Sequence, residues 1–320
     1  MIKDTIKNFG EQFQFDPEVK YETNLPFTPS TIVAGMGGSA LGAGLVLAAL
    51  PQLKLRIHRE YDLPKNIDSK ELVIASSYSG NTEETISAYD KALHTNQPLA
   101  AISVGGKILA KADHDQIPHI ALPDTGIQPR MSLGYNVIAL LKLLRQEKEI
   151  ETIKSLTKII NIKELEEHGQ KLATILHDRV PIIYASNQNQ SLAYIGKISF
   201  NETGKIPAFM NVIPEMNHNE MTGFDRLPKS KSLSDQFVCV FINDHDDHPR
   251  IQKRTALTRR FIESKGLRAV TIEAPGSSRW EKIFRIVIMF DWAAHFISEY
   301  IGADSTNVPM VEDFKKELGS

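Results

Sequence analysis

Residues 72–85 tie the chain to one kind of architecture. An apolar run, Leu72-Val73-Ile74-Ala75, breaks into Ser76-Ser77-Tyr78-Ser79-Gly80-Asn81-Thr82 and opens directly into a helical pattern. A buried strand that ends in small hydroxylated residues and continues as a helix is the βα unit of a parallel sheet. The same junction suits an anion. Ser77, Ser79 and Thr82 offer hydroxyl donors, Gly80 lets a ligand approach the backbone, and the first helical turn leaves free N–H groups at its positive dipole end. A phosphate monoester, with roughly −1.5 to −2 charges at neutral pH, can be held there without a lysine. Taken alone, the loop is also compatible with a purely structural serine-rich turn.

The rest of the sequence repeats this rhythm. Strand candidates at 31–34, 54–59, 72–76, 99–104 and 119–122 alternate with helical stretches at 40–50 and 82–94. The alternation restarts with strand candidates at 180–185, 208–213, 236–242 and 267–272, around helical stretches at 190–205, 250–265 and 278–300. Residues 145–170 are densely charged, lack proline and carry no strand signal, so they read as a helical connection. A chain of 320 residues with 42% hydrophobic content can bury two cores of ~150 residues each. The expectation is an α/β protein of two doubly wound, parallel-sheet, flavodoxin-like domains. Residues 1–150 would carry the phosphate loop and 151–320 the second domain and tail. Ligands in open α/β sheets bind beyond the carboxyl ends of the strands, where Gly35–Ser39 and Ser76–Thr82 both fall. The second half has no copy of SSYSGNT, so one complete anion site per chain is expected.

Charge and cysteine content narrow the partners. Lys+Arg of 37 against Asp+Glu of 39 gives a net charge of −2 without long single-sign blocks, which excludes a broad nucleic-acid or anionic-membrane surface. The single Cys239 lies in Phe237-Val238-Cys239-Val240-Phe241 and reads as a buried structural thiol, which fits a reducing compartment. The N-terminal MIKDTIKNFGEQFQF has no apolar core of signal-peptide length, and no window reaches the ~18 apolar residues of a membrane span. A soluble, cytoplasmic protein is expected. His245-Asp246-Asp247-His248 has metal-ligating side chains, but consecutive residues cannot all converge, and a solvated loop is the expectation.

Four motifs in order resemble a known family. SSYSGNTEET (76–85) resembles the sugar-phosphate loop of the SIS (sugar isomerase) family, and GMGGSALG (35–42) its other signature. NETGKIPAF (201–209) and PEMNHNE (214–220) resemble one branch, the bifunctional phosphoglucose/phosphomannose isomerases. The resemblance implies two SIS-type domains and an aldose–ketose isomerase that interconverts glucose 6-phosphate, with mannose 6-phosphate as a second aldose, and fructose 6-phosphate. It implies enediol proton transfer without metal or cofactor. It puts the sugar against Gly37, Gly38 and Ser39 and the phosphate on Ser77, Ser79 and Thr82. Glu202 would be the proton-transferring base, and His218 would open the sugar ring from the neighbouring subunit of a homodimer. Arg130, in Pro129-Arg130-Met131-Ser132-Leu133-Gly134, would stabilise the enediolate, and Lys315, adjacent to Lys316, would approach the substrate from the tail. These residue types suit the roles. A carboxylate in a partly apolar cleft has its pKa raised toward neutrality, imidazole exchanges protons near pH 7, and guanidinium keeps its charge. Many members of the branch carry a threonine linked to mannose acceptance immediately before the tail proline; Val308 stands there instead and weakens the mannose half of the expectation.

Two other classes compete. Gly35-Met36-Gly37-Gly38-Ser39-Ala40 matches the G-x-G-x-x-A dinucleotide fingerprint, with Glu60 where a ribose-binding acid would sit, as in an oxidoreductase. SIS domains also serve as non-catalytic sugar-phosphate sensors in regulators, although no basic DNA-binding module precedes residue 31. By themselves, Glu202 is a glutamate near a helix end, His218 a loop histidine and Arg130 a helix-start cation.

Overall fold

The computed structural model describes residues 1–318. The chain falls into two compact units, one formed by residues 8–159 with Met1 and the segment from Val308 onward, the other by residues 2–7 and 160–307. Helices α1 (Ile2–Lys7) and α2 (Phe9–Gln12) come first. There follow β1 (Thr31–Ala34), α3 (Gly37–Ala49), β2 (Leu55–His58), β3 (Leu72–Ser76), α4 (Glu83–His94), β4 (Leu99–Ser103), α5 (Gly106–His114), β5 (His119–Ala121), α6 (Leu133–Leu143) and α7 (Glu147–Ser155). The boundary expected at 150 falls inside α7, whereas the contacts divide the chain between Ile159 and Ile160.

The five strands of the first unit pair in parallel in the order β2-β1-β3-β4-β5. Every residue of β1, β3 and β4 is buried, as in a sheet covered on both faces. On one face Ile32, Val73, Leu99 and Ala101 pack with Tyr89 and Ala92 of α4 and Ile108 and Ala112 of α5. Helices α3 and α6 pack together in the same unit. Because β3 bonds directly to β1, the winding reverses between them, and that switch point is where ligands of the 2-1-3-4-5 fold bind. A dinucleotide fold would place the third strand outside the second, so the topology contradicts that alternative.

The second unit continues with α8 (Ile162–Leu176), β6 (Val180–Ser186), α9 (Gln190–Ile198), β7 (Phe209–Ile213), β8 (Phe237–Asn243), α10 (Pro249–Ser264), β9 (Arg268–Glu273) and α11 (Arg279–Tyr300). Its strands are again all parallel, in the order β7-β6-β8-β9. The long α11 is buried over most of its length and packs against α8, α9 and α1. Gly169 sets the approach of α8 to α11, since a Cβ there would stand 2.4 Å from the Trp292 Cβ. Asn161 caps α8 by accepting from the Lys163 and Glu164 amides at 3.1 and 3.3 Å, so the charged connection is helical as its composition predicts. Cys239 is fully buried beside Tyr184, and burial pushes its thiol up to about 12. The last described helix, α12 (Pro309–Leu318), buries none of its residues.

Candidate active site

The first unit contains all the expected site residues except Glu202 and His218. The loops after β1 and β3 emerge side by side at the switch point, and Ser39 joins them: its Oγ accepts from the Tyr78 amide at 2.8 Å. Its hydroxyl, expected to face the sugar, therefore ties one loop to the other and is 5% exposed. Ser77 is the hub of the second loop. Its Oγ accepts from the Gly80 amide at 3.1 Å and lies 2.9 Å from the Thr82 Oγ1, and the residue is 1% exposed. Ser79 is exposed and Thr82 half-buried, and they are the hydroxylated loop residues most open to a ligand. Neither α3 nor α4 has a side-chain cap at its N-terminus; the Ser39 amide donates to Met36 O at 3.1 Å, and the other first-turn amides stand at the positive dipole ends.

Glycines fix this loop from behind. Gly80 has a φ of 70°, and a Cβ there would lie 1.8 Å from the Gly105 carbonyl oxygen. A Cβ on Gly106 would stand 2.4 Å from the Ser79 oxygen. The first turn of α5 then bonds to the loop, with the Ile108 amide donating to Gly80 O at 3.0 Å and the Lys107 amide to Asn81 Oδ1 at 3.2 Å. The pair Gly105-Gly106 was the available sequence signal for this buttress.

Arg130 is held against the first loop through its backbone. It sits in a 3-10 turn, Pro129–Met131, ahead of α6, which begins at Leu133 rather than at the arginine. Gly38 makes the approach possible: a Cβ there would lie 2.6 Å from the Pro129 carbonyl and 2.8 Å from the Arg130 nitrogen. Gln12 staples the turn from the N-terminal arm. Its Nε2 donates to Met131 O at 2.8 Å and its Oε1 accepts from the Gly134 amide at 2.9 Å. The Arg130 side chain is 5% exposed and donates to Gln128 Oε1 at 3.3 Å. A guanidinium this buried is not a solvated surface charge.

In the second unit, Glu202 lies on a π-helical turn, Ser199–Thr203, that continues α9. Such turns inside helices recur at functional sites. Ser199 anchors it by donating to Asp291 Oδ1 of α11 at 2.9 Å, and Phe200 and Thr203 are fully buried, while Glu202 stays half-exposed. His218 lies beyond the other end of β7, in the 3-10 turn Glu215–His218. Its neighbours are all fixed. Met216 is buried in the core with Tyr184, Phe224 and Phe241, and Asn217 Nδ2 donates to Thr258 Oγ1 at 2.7 Å. Asn219 Nδ2 donates to Glu215 Oε1 at 2.6 Å. His218 itself is exposed.

In the His245–His248 loop, His245, Asp246 and His248 are exposed, as expected of a solvated loop, while Asp247 and the preceding Asp244 are buried. Asp244 is 1% exposed, bonded to Arg279 at 2.5 Å and to Lys282 at 2.8 Å, and Asp247 is buried beside Asn189. Burial works to raise the Asp244 pKa, but Lys282, Asn189 and Arg279 outweigh it and hold the carboxyl below its usual range. Among the described residues no group of three or more His, Cys, Asp or Glu is placed to hold a metal ion. In the tail, Lys315 and Lys316 are exposed on α12, and Lys316 pairs with Asp313 at 3.2 Å.

Residues 165–318 match the family described as the bacterial phospho-glucose isomerase C-terminal SIS domain. The bifunctional phosphoglucose/phosphomannose isomerase of Aquifex aeolicus (strain VF5) is 30% identical over 318 residues, which cover 98% of this chain and 97% of that protein. The protein of the same name from Caldicellulosiruptor bescii is 31% identical over 336 residues, 98% of each. Among solved structures, a glucosamine-6-phosphate deaminase of Thermotoga maritima superposes with a TM-score of 0.70 over 96% of both chains at 14% identity, a likeness of fold.

Proposed function

The chain belongs to the bifunctional phosphoglucose/phosphomannose isomerase family, and from that premise we propose that it interconverts glucose 6-phosphate and fructose 6-phosphate through an enediol. The observation that carries the reading is the cradle at the first switch point, where two uncapped helix starts, two accessible hydroxylated residues and the buried Arg130 converge. Ser79 and Thr82 hold the 6-phosphate with the α4 amides, and Ser77 shapes the loop around it. The sugar lies against Gly37, Gly38 and Ser39. His218 protonates the ring oxygen and takes the proton of the C1 hydroxyl, which opens the ring. Glu202 then removes the C2 proton of the aldose and returns it to C1 of the enediol, while the hydroxyl proton passes from O2 to O1. Arg130 offsets the negative charge that develops on the enediolate oxygen, and Lys315 positions the substrate.

The working form in this reading is a homodimer in which His218 completes the partner's site. Its support is that Glu202 and His218 lie beyond opposite ends of β7 and that the chain carries one phosphate loop. A cytoplasmic setting is favoured by the unpaired buried Cys239, and no helix is long and apolar enough to cross a membrane among the described residues. The valine at 308 favours glucose over mannose 6-phosphate. A coupled assay on glucose, mannose, fructose and glucosamine 6-phosphates tests the assignment, with inorganic phosphate as inhibitor. Turnover of glucose 6-phosphate with competitive inhibition by phosphate is expected. Failure of phosphate to compete would sink the cradle, and turnover confined to the amino sugar would sink the substrate.

A further inference from the structure

The segment carrying His218 is fastened to the sheet by a carboxylate that the reaction scheme above does not use. Glu220 lies two residues after His218 and sends its side chain back to β6 and β7. One oxygen accepts from the Tyr184 hydroxyl and the other from the Asn211 side-chain amide. Tyr184 and Asn211 are paired neighbours on the two parallel strands, so a single carboxylate spans them like a bracket.

Both donors are themselves fixed. Tyr184 is fully buried and stacks on Phe241 with ring centroids 5.3 Å apart. Asn211 uses its own Oδ1 to accept from the Val212 amide at 2.8 Å, which orients its NH₂ group toward Glu220. On the other side the Glu220 amide donates to Asn219 Oδ1 at 2.5 Å, and Asn219 in turn holds Glu215. The 3-10 turn is thereby bolted at both ends, with Met216 beneath it and His218 presented outward. A half-buried carboxylate is a costly tie for a surface turn, and mutual orientation of functional groups is what such supporting contacts supply.

Resting on the reading of His218 as the ring-opening residue, we propose that Glu220 is a positioning residue for that step: the Tyr184–Glu220–Asn211 bracket sets the orientation of the His218 imidazole toward the substrate. Glu220 touches no substrate. Its loss should therefore lower kcat through His218 while leaving the phosphate cradle unaffected. Misplacement of a catalytic group by about 1 Å can cost on the order of 10²-fold.

The test is a double-mutant cycle on the full chain with glucose 6-phosphate, using Glu220→Gln, His218→Ala and the pair together. Glu220→Gln keeps the size but places an amide donor opposite Tyr184 or Asn211. We expect a roughly 10- to 100-fold fall in kcat, an unchanged inhibition constant for inorganic phosphate, and no further loss when Glu220→Gln is added to His218→Ala. Tyr184→Phe, which removes one donor and keeps the ring, should give a smaller loss that also vanishes in the His218→Ala background. If His218→Ala is slow but either variant adds its full effect on top, or Glu220→Gln turns over at the wild-type rate, the positioning role is overturned. Wild-type turnover by His218→Ala would instead remove the ring-opening assignment, and the role of Glu220 with it.

Discussion

Glu202 and His218 bracket strand β7 from opposite ends: the π-helical turn of Glu202 leads into Phe209, and the 3-10 turn of His218 follows Ile213. The five-residue strand between them spans on the order of 15 Å. The two residues of one chain thus flank opposite ends of one edge strand of the second sheet. The two-fold pairing proposed above would bring the proposed base and the proposed ring-opening acid to one sugar.

Glu202→Gln preserves size and removes the carboxylate proposed as the base. Its kcat should fall by at least ~10²-fold with KM little changed, in line with general-base contributions. A steady-state coupled assay decides this, and near-wild-type turnover would take the role away from Glu202.

Gly38→Ala and Gly37→Ala separate packing from backbone conformation. At 38 the new Cβ would meet the Pro129 carbonyl at 2.6 Å, a backbone contact that cannot yield without moving the Arg130 turn. Overpacking of this kind costs typically about 1–3 kcal/mol, and kcat should fall with Tm. At 37 no atom stands within 4 Å, but the φ of 47° is left-handed. That variant should lose about 1–2 kcal/mol of stability with the Arg130 turn undisturbed. Calorimetry and kcat on both proteins check the contrast; equal loss of activity in the two would contradict the packing account.

Much of this was legible in the sequence, for identifiable reasons. Strands such as Leu72–Ser76 and Leu99–Ser103 are uninterrupted apolar runs, and the βα alternation dictates parallel winding. Long-range fastenings were not legible, because nothing in a local pattern encodes them. Gln12 capping the start of α6, Gly38 admitting the Pro129 backbone, and Asp244 bonded to Lys282 each join residues far apart in the chain. The π-helical turn also escaped notice, since its periodicity differs from α9 for only five residues. Helix α1 begins the chain yet packs on α8 and α11 of the second unit, so no single cut in the sequence separates the two bodies.

His295, 7% exposed on α11, should give the fold an acid-sensitive limb. Burial holds its pKa below the ordinary 6.5, so the folded state favours the neutral ring while the unfolded chain takes up a proton below about that pH. Stability should then be full above pH 6.5 and decline as the pH falls through the folded pKa. Urea midpoints between pH 5 and 8 for wild type and His295→Gln provide the check. The variant should show a flatter limb, and an unchanged slope would assign the acid sensitivity to other groups.

The most direct measurement mixes two crippled enzymes. His218→Ala and Glu202→Gln are each strongly impaired in this account, but a dimer containing one of each has one site with both residues intact. After unfolding, mixing and refolding at equal ratio, half the dimers are mixed and each has one good site of two. Roughly a quarter of wild-type activity should return, as two-fold symmetry requires. Mixtures that demonstrably exchange subunits yet stay equally impaired would show that Glu202 and His218 do not serve one shared site across a dimer.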